Sequence, residues 1–161
     1  MAKMNLGRVL LGGIVAGIVI DIWEGVMRGI LLQDRATDAM PALGRTAAVS
    51  MKQIVALDVW GLVVGIFTVL VYAAIRPRFG AGPRAAIFAG LLIWALVFAL
   101  GIMPVVFMHL LPVSLGAITV GGEFVMMILA GLAGGALYKE AAAAGGAGDA
   151  RSAYANVRAS R

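Results

Sequence analysis

Five ionisable residues lie inside apolar runs of this chain. Asp21, Glu24 and Arg28 fall in GIVAGIVIDIWEGVMR (13–28), Asp58 in the run that follows Gln53, and Glu123 in the run that follows Ser114. A charge in hydrocarbon is costly, so such groups must face other helices, one another or a wet cavity. Two chemistries fit four carboxylates set against one guanidinium. The first is structural: Glu24 and Arg28 are four apart and can pair within one helix, and a buried polar network can fix helix register. The second is a small site open to one side of a membrane that binds a cation, relays protons or holds a cationic solute. A hard metal ion would use carboxylate and carbonyl oxygens, but no spacing here is specific for a metal. We therefore expect no metal and no cofactor.

The remaining candidates are weaker. His109 stands alone, which excludes a bis-His haem, and it reads more readily as an interface residue than as a ligand. Trp23 and Trp94 could stack on a ring-shaped ligand such as a quinone, although helix packing explains them with fewer assumptions. The nine methionines are scattered and read as packing residues. Cysteine is absent, so there is no disulfide framework and no thiolate chemistry. There is no nucleophile elbow, phosphate loop, HExxH or dinucleotide fingerprint, and Ser50 and Ser114 have no nearby base, so an enzyme is not expected.

The elements that must position these residues are membrane-spanning helices. The 161 residues are 62% hydrophobic with a mean hydropathy of +1.00, and several runs exceed the length needed to cross a bilayer. We read an all-α, integral membrane four-helix bundle with helices at about 6–32, 53–75, 85–111 and 114–137. Lys3 and Arg8 before an apolar run have the look of a signal peptide. No small-residue cleavage site follows, and Asp21 and Glu24 interrupt its place, so the first helix reads as retained.

At about 100° per residue, Gly13, Gly17, Asp21, Glu24 and Arg28 share a stripe roughly 80° wide, leaving Ile14, Val15, Ile18, Val19, Ile20 and Ile22 for lipid. Asp58, Gly61, Gly65, Thr68 and Tyr72 make a comparable stripe on the second helix. Ala86, Gly90, Trp94, Val97 and Gly101 make the tight face of the third, and Gly116, Thr119, Glu123, Ala130 and Gly134 that of the fourth. Small residues at these spacings let helix backbones approach closely. They could serve the bundle itself, a homo-oligomer or docking to other membrane subunits. Pro77 should end the second helix and Pro104 should kink the third. The loop at 33–52 is long enough for a short interfacial helix. The Ala/Gly-rich stretch at 138–161 reads as a polar tail without a core of its own.

The net charge of +5 and a pI near 10.2 do not point to nucleic acid, because the basic residues sit in loops and tails. Lys3, Arg8, Arg76, Arg78, Arg84, Lys139, Arg151, Arg158 and Arg161 fall on one side, and Arg35, Arg45 and Lys52 on the other. The positive-inside rule then places both termini in the cytoplasm of a bacterial inner membrane, with the lipid bilayer as first partner. Tyr72 and Tyr138 read as interface anchors at the cytoplasmic helix ends. With that orientation Asp21 lies near mid-membrane, and the other polar groups lie in the middle or outer half. The chain also reads as two repeated helical hairpins when Tyr72 is laid on Tyr138 and Ala16-Gly17 on Ala89-Gly90.

The stretches GRVLLGGIVAG, VYAAIRPRFGAGPR and ALYKE together resemble a group of short bacterial hypothetical membrane proteins. The resemblance covers about residues 5–140 and implies the four-helix layout and a bacterial source. It carries over no catalytic or binding residues. On these grounds we expect a non-catalytic membrane component, self-associating or accessory to a larger assembly, with a proton- or cation-linked carrier as the alternative.

Overall fold

The structure, a computed structural model, describes residues 4–39 and 49–139. Four helices among them are long and apolar enough to cross a membrane: Leu6–Leu31, Met51–Phe79, Pro83–Phe107 and Val113–Leu137. This is the expected all-α, four-helix fold of a multi-pass membrane protein. The first span is α1 (Leu6–Val26), continued by a widened π turn over Met27–Leu31, and it is followed by the short α2 (Gln33–Ala39). The second span is α3 (Met51–Phe79). The third is α4 (Pro83–Ile93), a π turn over Trp94–Ala99, and α5 (Leu100–Phe107). The fourth is α6 (Val113–Leu137). The expected tail lies outside the described residues from 140 onward, and so does the loop segment 40–48.

Local chemistry sets the helix ends. The Asn5 side chain accepts from the Arg8 N–H at 3.2 Å and caps α1. Ser50 and Gln53 form a reciprocal capping box, the Gln53 side chain accepting from the Ser50 N–H at 2.9 Å. That box starts α3 at Met51, two residues before the expected 53. At its other end α3 runs through Pro77 to Phe79, not to 75. A proline in the last turn removes one hydrogen bond, and the N–H of Gly80 still reaches the Arg76 carbonyl at 2.9 Å. Gly80 and Gly82, at φ +81° and +145°, then turn the chain where a side chain would be strained.

The third span also departs from expectation. It begins at Pro83, the favoured first position of a helix, and its helix ends at Phe107 instead of 111. His109 sits at φ +56°, which closes the helix in the left-handed region. The disturbance expected at Pro104 lies earlier, in the π turn, where the Leu100 N–H reaches back to the Ala95 carbonyl. Pro104 itself stays inside α5.

Glycines decide how closely the helices cross. A Cβ on Gly13 would sit 2.6 Å from the Ile66 Cα, and one on Gly17 would sit 2.6 Å from the Leu62 Cα. One on Gly65 would strike the backbone of Gly13 and Gly17. The α1–α3 crossing is therefore backbone on backbone, and it is the most extensive in the molecule. In the same way, a Cβ on Gly12 would lie 2.6 Å from the Gly134 carbonyl, joining α1 to α6. One on Gly131 would lie 2.6 Å from the Ala86 carbonyl, joining α4 to α6. Under the hairpin alignment, Gly65 corresponds to Gly131 and Gly13 to Ala86, so the two hairpins close on equivalent positions.

Val9, Ala16, Ile20, Val64, Val69, Met126, Met127 and Ala130 fill the space between these crossings. Ile20 is thus inside the bundle, not on the lipid face with Ile14, Ile18 and Ile22. It packs beside Gly61 of α3, and because α1 meets both α3 and α6 the buried arc of α1 is wider than one stripe. Tyr72 and Tyr138 also differ from the anchors expected. Each is 4% exposed, and the rings meet edge to face at 5.9 Å. The Tyr72 hydroxyl accepts from the Gly82 N–H at 3.4 Å, and the Arg76 guanidinium covers the Tyr138 ring at 5.4 Å. The first contact gives the Tyr72 hydroxyl a partner inside the protein, and the second sets a cation over the face of the Tyr138 ring.

The packing is uneven along the helices. At the end where Tyr72 and Tyr138 meet, all four spans touch. Toward the other end the bundle opens. Residues 51–60 of α3 are exposed on every side, α5 buries no residue, and beyond Ile20 the first span buries only Met27.

Candidate functional site

The polar residues gather in the open half. Asp21 leaves α1 and lays its carboxylate against the Cα of Gly61 on α3, where any Cβ would collide with Oδ1. Gly61 is buried, so its missing side chain is what lets an acid of one helix rest on the backbone of the next. Asp58 stands one turn before Gly61 on the same helix, and its charge acts on Asp21. Glu24, one turn beyond Asp21, forms an ion pair with Arg28, whose side chain is 46% exposed against 18% for Glu24.

Glu123 reaches the same region from α6. It is only 3% exposed. Its carboxyl lies toward Glu24 and within electrostatic reach of Arg28. Its Oε2 has no partner among the described residues. The sequence-predicted residues Asp21, Glu24, Arg28, Asp58 and Glu123 are thus brought together by three helices: α1 with its π turn, α3 and α6.

Between the first span and α3 this gathering leaves a cleft of about 430 Å³. Its polar wall is Asp21, Glu24, Asp58, Arg28 and Gln33, and Val49, Ile54 and Leu57 line its apolar side. Gly25 and Gly29 border it from the first span, with nothing within 4 Å of where their Cβ atoms would be. Asp21 and Asp58 have no hydrogen bond or ion pair among the described residues. No group of three or more His, Asp or Glu among those residues is placed to hold a metal ion.

Two candidates fall outside this arrangement. His109 is exposed at the end of the third span and does not line the cleft. The ring-stacking tryptophans are occupied by packing. Trp94 donates its indole N–H to the Val120 carbonyl at 2.9 Å and meets Phe124 edge-on at 5.2 Å, while Trp23 lies beside Gly122 of α6.

Sequence reasoning missed Gly61, Gln33, Ile54 and Leu57 as parts of the site. Gly61 was seen as a packing residue; that it lies one turn from Asp58 was the available signal. Gln33, as the first polar residue after the apolar run, could have been read as facing the loop side. Nothing in the pattern marked Ile54 and Leu57, which differ from lipid-facing residues only in what stands opposite. No family model, curated protein or solved structure matches this chain.

Proposed function

We propose that the chain is a non-catalytic, multi-pass component of a bacterial cytoplasmic membrane, with both termini inside, that is completed by another subunit or by further copies of itself. The observation that carries this reading is the unfinished half of the bundle. Ten consecutive positions of α3, residues 51–60, are exposed, none of them buried by another described element, and they include the ionisable Asp58. An acid at that position in a span must find company. In mild detergent the protein is expected to run as an assembly, either of several copies or with a copurifying membrane protein, by size exclusion with light scattering. A stable lone chain that copurifies with nothing sinks the reading. Alkaline phosphatase inserted in the 33–52 loop should be active, since that loop is assigned to the outer side.

The acidic cleft favours a second reading, a proton- or cation-linked carrier. Asp21→Asn and Glu24→Gln in reconstituted vesicles separate the two. A carrier loses an ion- or pH-dependent flux that the wild type has, whereas an accessory subunit shows no flux to lose.

A further inference from the structure

We propose that the turn joining α3 to α4 is a binding site for an anionic phospholipid, its phosphodiester held by Arg78 and Arg84 and the start of its acyl region laid on the stacked rings of Phe79 and Phe88. This goes beyond the assembly reading and rests only on the spans crossing a bilayer.

Charge is segregated along the bundle. At the end where Tyr72 and Tyr138 meet stand Arg8, Arg76, Arg78, Arg84 and Lys139, and no acid among the described residues accompanies them. Arg76 is engaged over the Tyr138 ring. Arg78 and Arg84 are exposed, and neither has an ion pair among the described residues. Each directly follows a proline, and only Gly80, Ala81 and Gly82 separate Phe79 from Pro83. Two guanidiniums this close in the chain, with no carboxylate beside them, suit a phosphate, whose oxygens match the planar donor fork of arginine.

The turn that carries them is held in place. The Gly80 N–H donates to the Arg76 carbonyl at 2.9 Å, and the Gly82 N–H donates to the hydroxyl of the buried Tyr72 at 3.4 Å. The turn is thus tied to the core of the bundle, and both arginines leave from a fixed backbone. Its outer surface is open, with nothing within 4 Å of where a Cβ on Gly80 or Gly82 would be.

An independent observation separates a lipid from a free phosphate. Phe79 and Phe88 stack at 5.1 Å with their planes 21° apart, yet they stay 54% and 46% exposed. The pair joins the last residue of the second span to the second turn of the third, on the outside of the bundle. Core packing does not account for it, since neither ring belongs to the core. The rings continue the basic surface of the turn into an apolar one, and a phospholipid makes the same passage from headgroup to chain. Charge then selects the headgroup. A zwitterionic lipid brings a cation of its own among these basic side chains, whereas an anionic lipid brings none.

The test is native mass spectrometry of the full chain in an uncharged detergent, titrated with dioleoylphosphatidylglycerol, with dioleoylphosphatidylcholine and inorganic phosphate as comparisons. Phosphatidylglycerol should fill one saturable site per chain and bind about tenfold or more tighter than phosphatidylcholine. Inorganic phosphate at the same concentration should not displace it. Arg78→Gln and Arg84→Gln should each weaken phosphatidylglycerol binding about fivefold, the worth of one basic side chain at an anionic surface. Arg8→Gln removes the same charge from the same end, away from the turn, and should leave affinity unchanged. Phe88→Ala should weaken binding with both arginines in place. Arg78 and Arg84 are exposed, so their variants carry the test if Phe88→Ala loses helical circular dichroism. Equal affinity for the two lipids, displacement by inorganic phosphate, unchanged affinity in a folded Phe88→Ala, or a loss in Arg8→Gln as large as in Arg78→Gln, which marks diffuse charge only, each overturns the proposal. Light scattering on the same samples keeps the readings apart. An intact assembly with no lipid preference counts against the site alone, and a lone chain that binds phosphatidylglycerol upholds the site and counts against assembly.

Discussion

Helix α3 passes through two environments along its length. From Gly61 to Ala73 it is pressed between neighbours: Gly61, Val64, Gly65, Thr68, Val69, Tyr72 and Ala73 are all buried. From residue 51 to residue 60 nothing is buried. Both stretches are apolar enough to lie in a membrane, so hydropathy does not separate them. What separates them is what the neighbouring helices present. Opposite the buried stretch stand Gly13 and Gly17, and the backbones touch. Opposite the exposed stretch stand Asp21, Glu24 and Arg28, which line the cleft between the first span and α3.

The same contrast holds among glycines. Those at 12, 13, 17, 65, 90, 131 and 134 leave no room for a Cβ, while Gly25, Gly29, Gly101 and Gly121 have nothing within 4 Å. A glycine in a span thus permits close approach without compelling it. In lipid, association gains little from the hydrophobic effect and much from dispersion at short range, so a helix pair either closes or separates according to a few side chains.

The sharpest way to break this comparison is by reactivity. The chain has no cysteine, so single cysteines report cleanly. Gly25→Cys and Ile54→Cys, at the open half, should react with a hydrophilic maleimide about 100-fold faster than Ala130→Cys, which is fully buried and needs local opening. Comparable rates in mild detergent would erase the distinction between the halves.

Stability should divide the same way. Gly65→Val forces the α1–α3 backbones apart and should cost about 3 kcal/mol or more in detergent unfolding. Gly101→Ala, in open space, should change stability by about 1 kcal/mol or less, toward stabilisation, because alanine is the better helix former. Arg28→Met removes the cation facing Glu24 and Glu123 and should cost about 1–2 kcal/mol, moderated by the exposure of Arg28. Adding Glu24→Gln should recover part of that loss, and a double-mutant cycle by thermal unfolding reads the coupling. Tyr72→Phe deletes the acceptor for the Gly82 N–H and should cost about 0.5–1.5 kcal/mol in the same thermal unfolding.

Much of this organisation was legible beforehand, and for identifiable reasons. The spans follow from runs of apolar residues, whereas the ends of the second and third differ from expectation by two to four residues, set by the Ser50 capping box, Gly80, Pro83 and the turn at His109. The errors were local. Proline at 77 was given too much power, because its cost near a helix end is one hydrogen bond, not a break. Tyr72 and Tyr138 read as surface anchors from their position before basic residues, whereas both are buried in the bundle, with the Gly82 N–H on the Tyr72 hydroxyl and Arg76 over the Tyr138 ring. The five polar residues were found from their cost in hydrocarbon alone. That they share one place, and that His109 does not, depended on the relative rotation of three helices, to which periodicity within one helix is blind.

What the residues determined unaided is a set of four hydrocarbon-length helices, each with a small-residue stripe, carrying acids that could not be left to lipid. What only the assembled molecule decided is where those stripes engage. Gly13 and Gly17 met Gly65 and closed one half, while Asp21 came to rest on Gly61 and the other half stayed open. The reason is range: transfer into hydrocarbon is a property of each segment and can be read singly, but backbone contact and carboxylate placement depend on ångström-scale matching between segments distant in the chain.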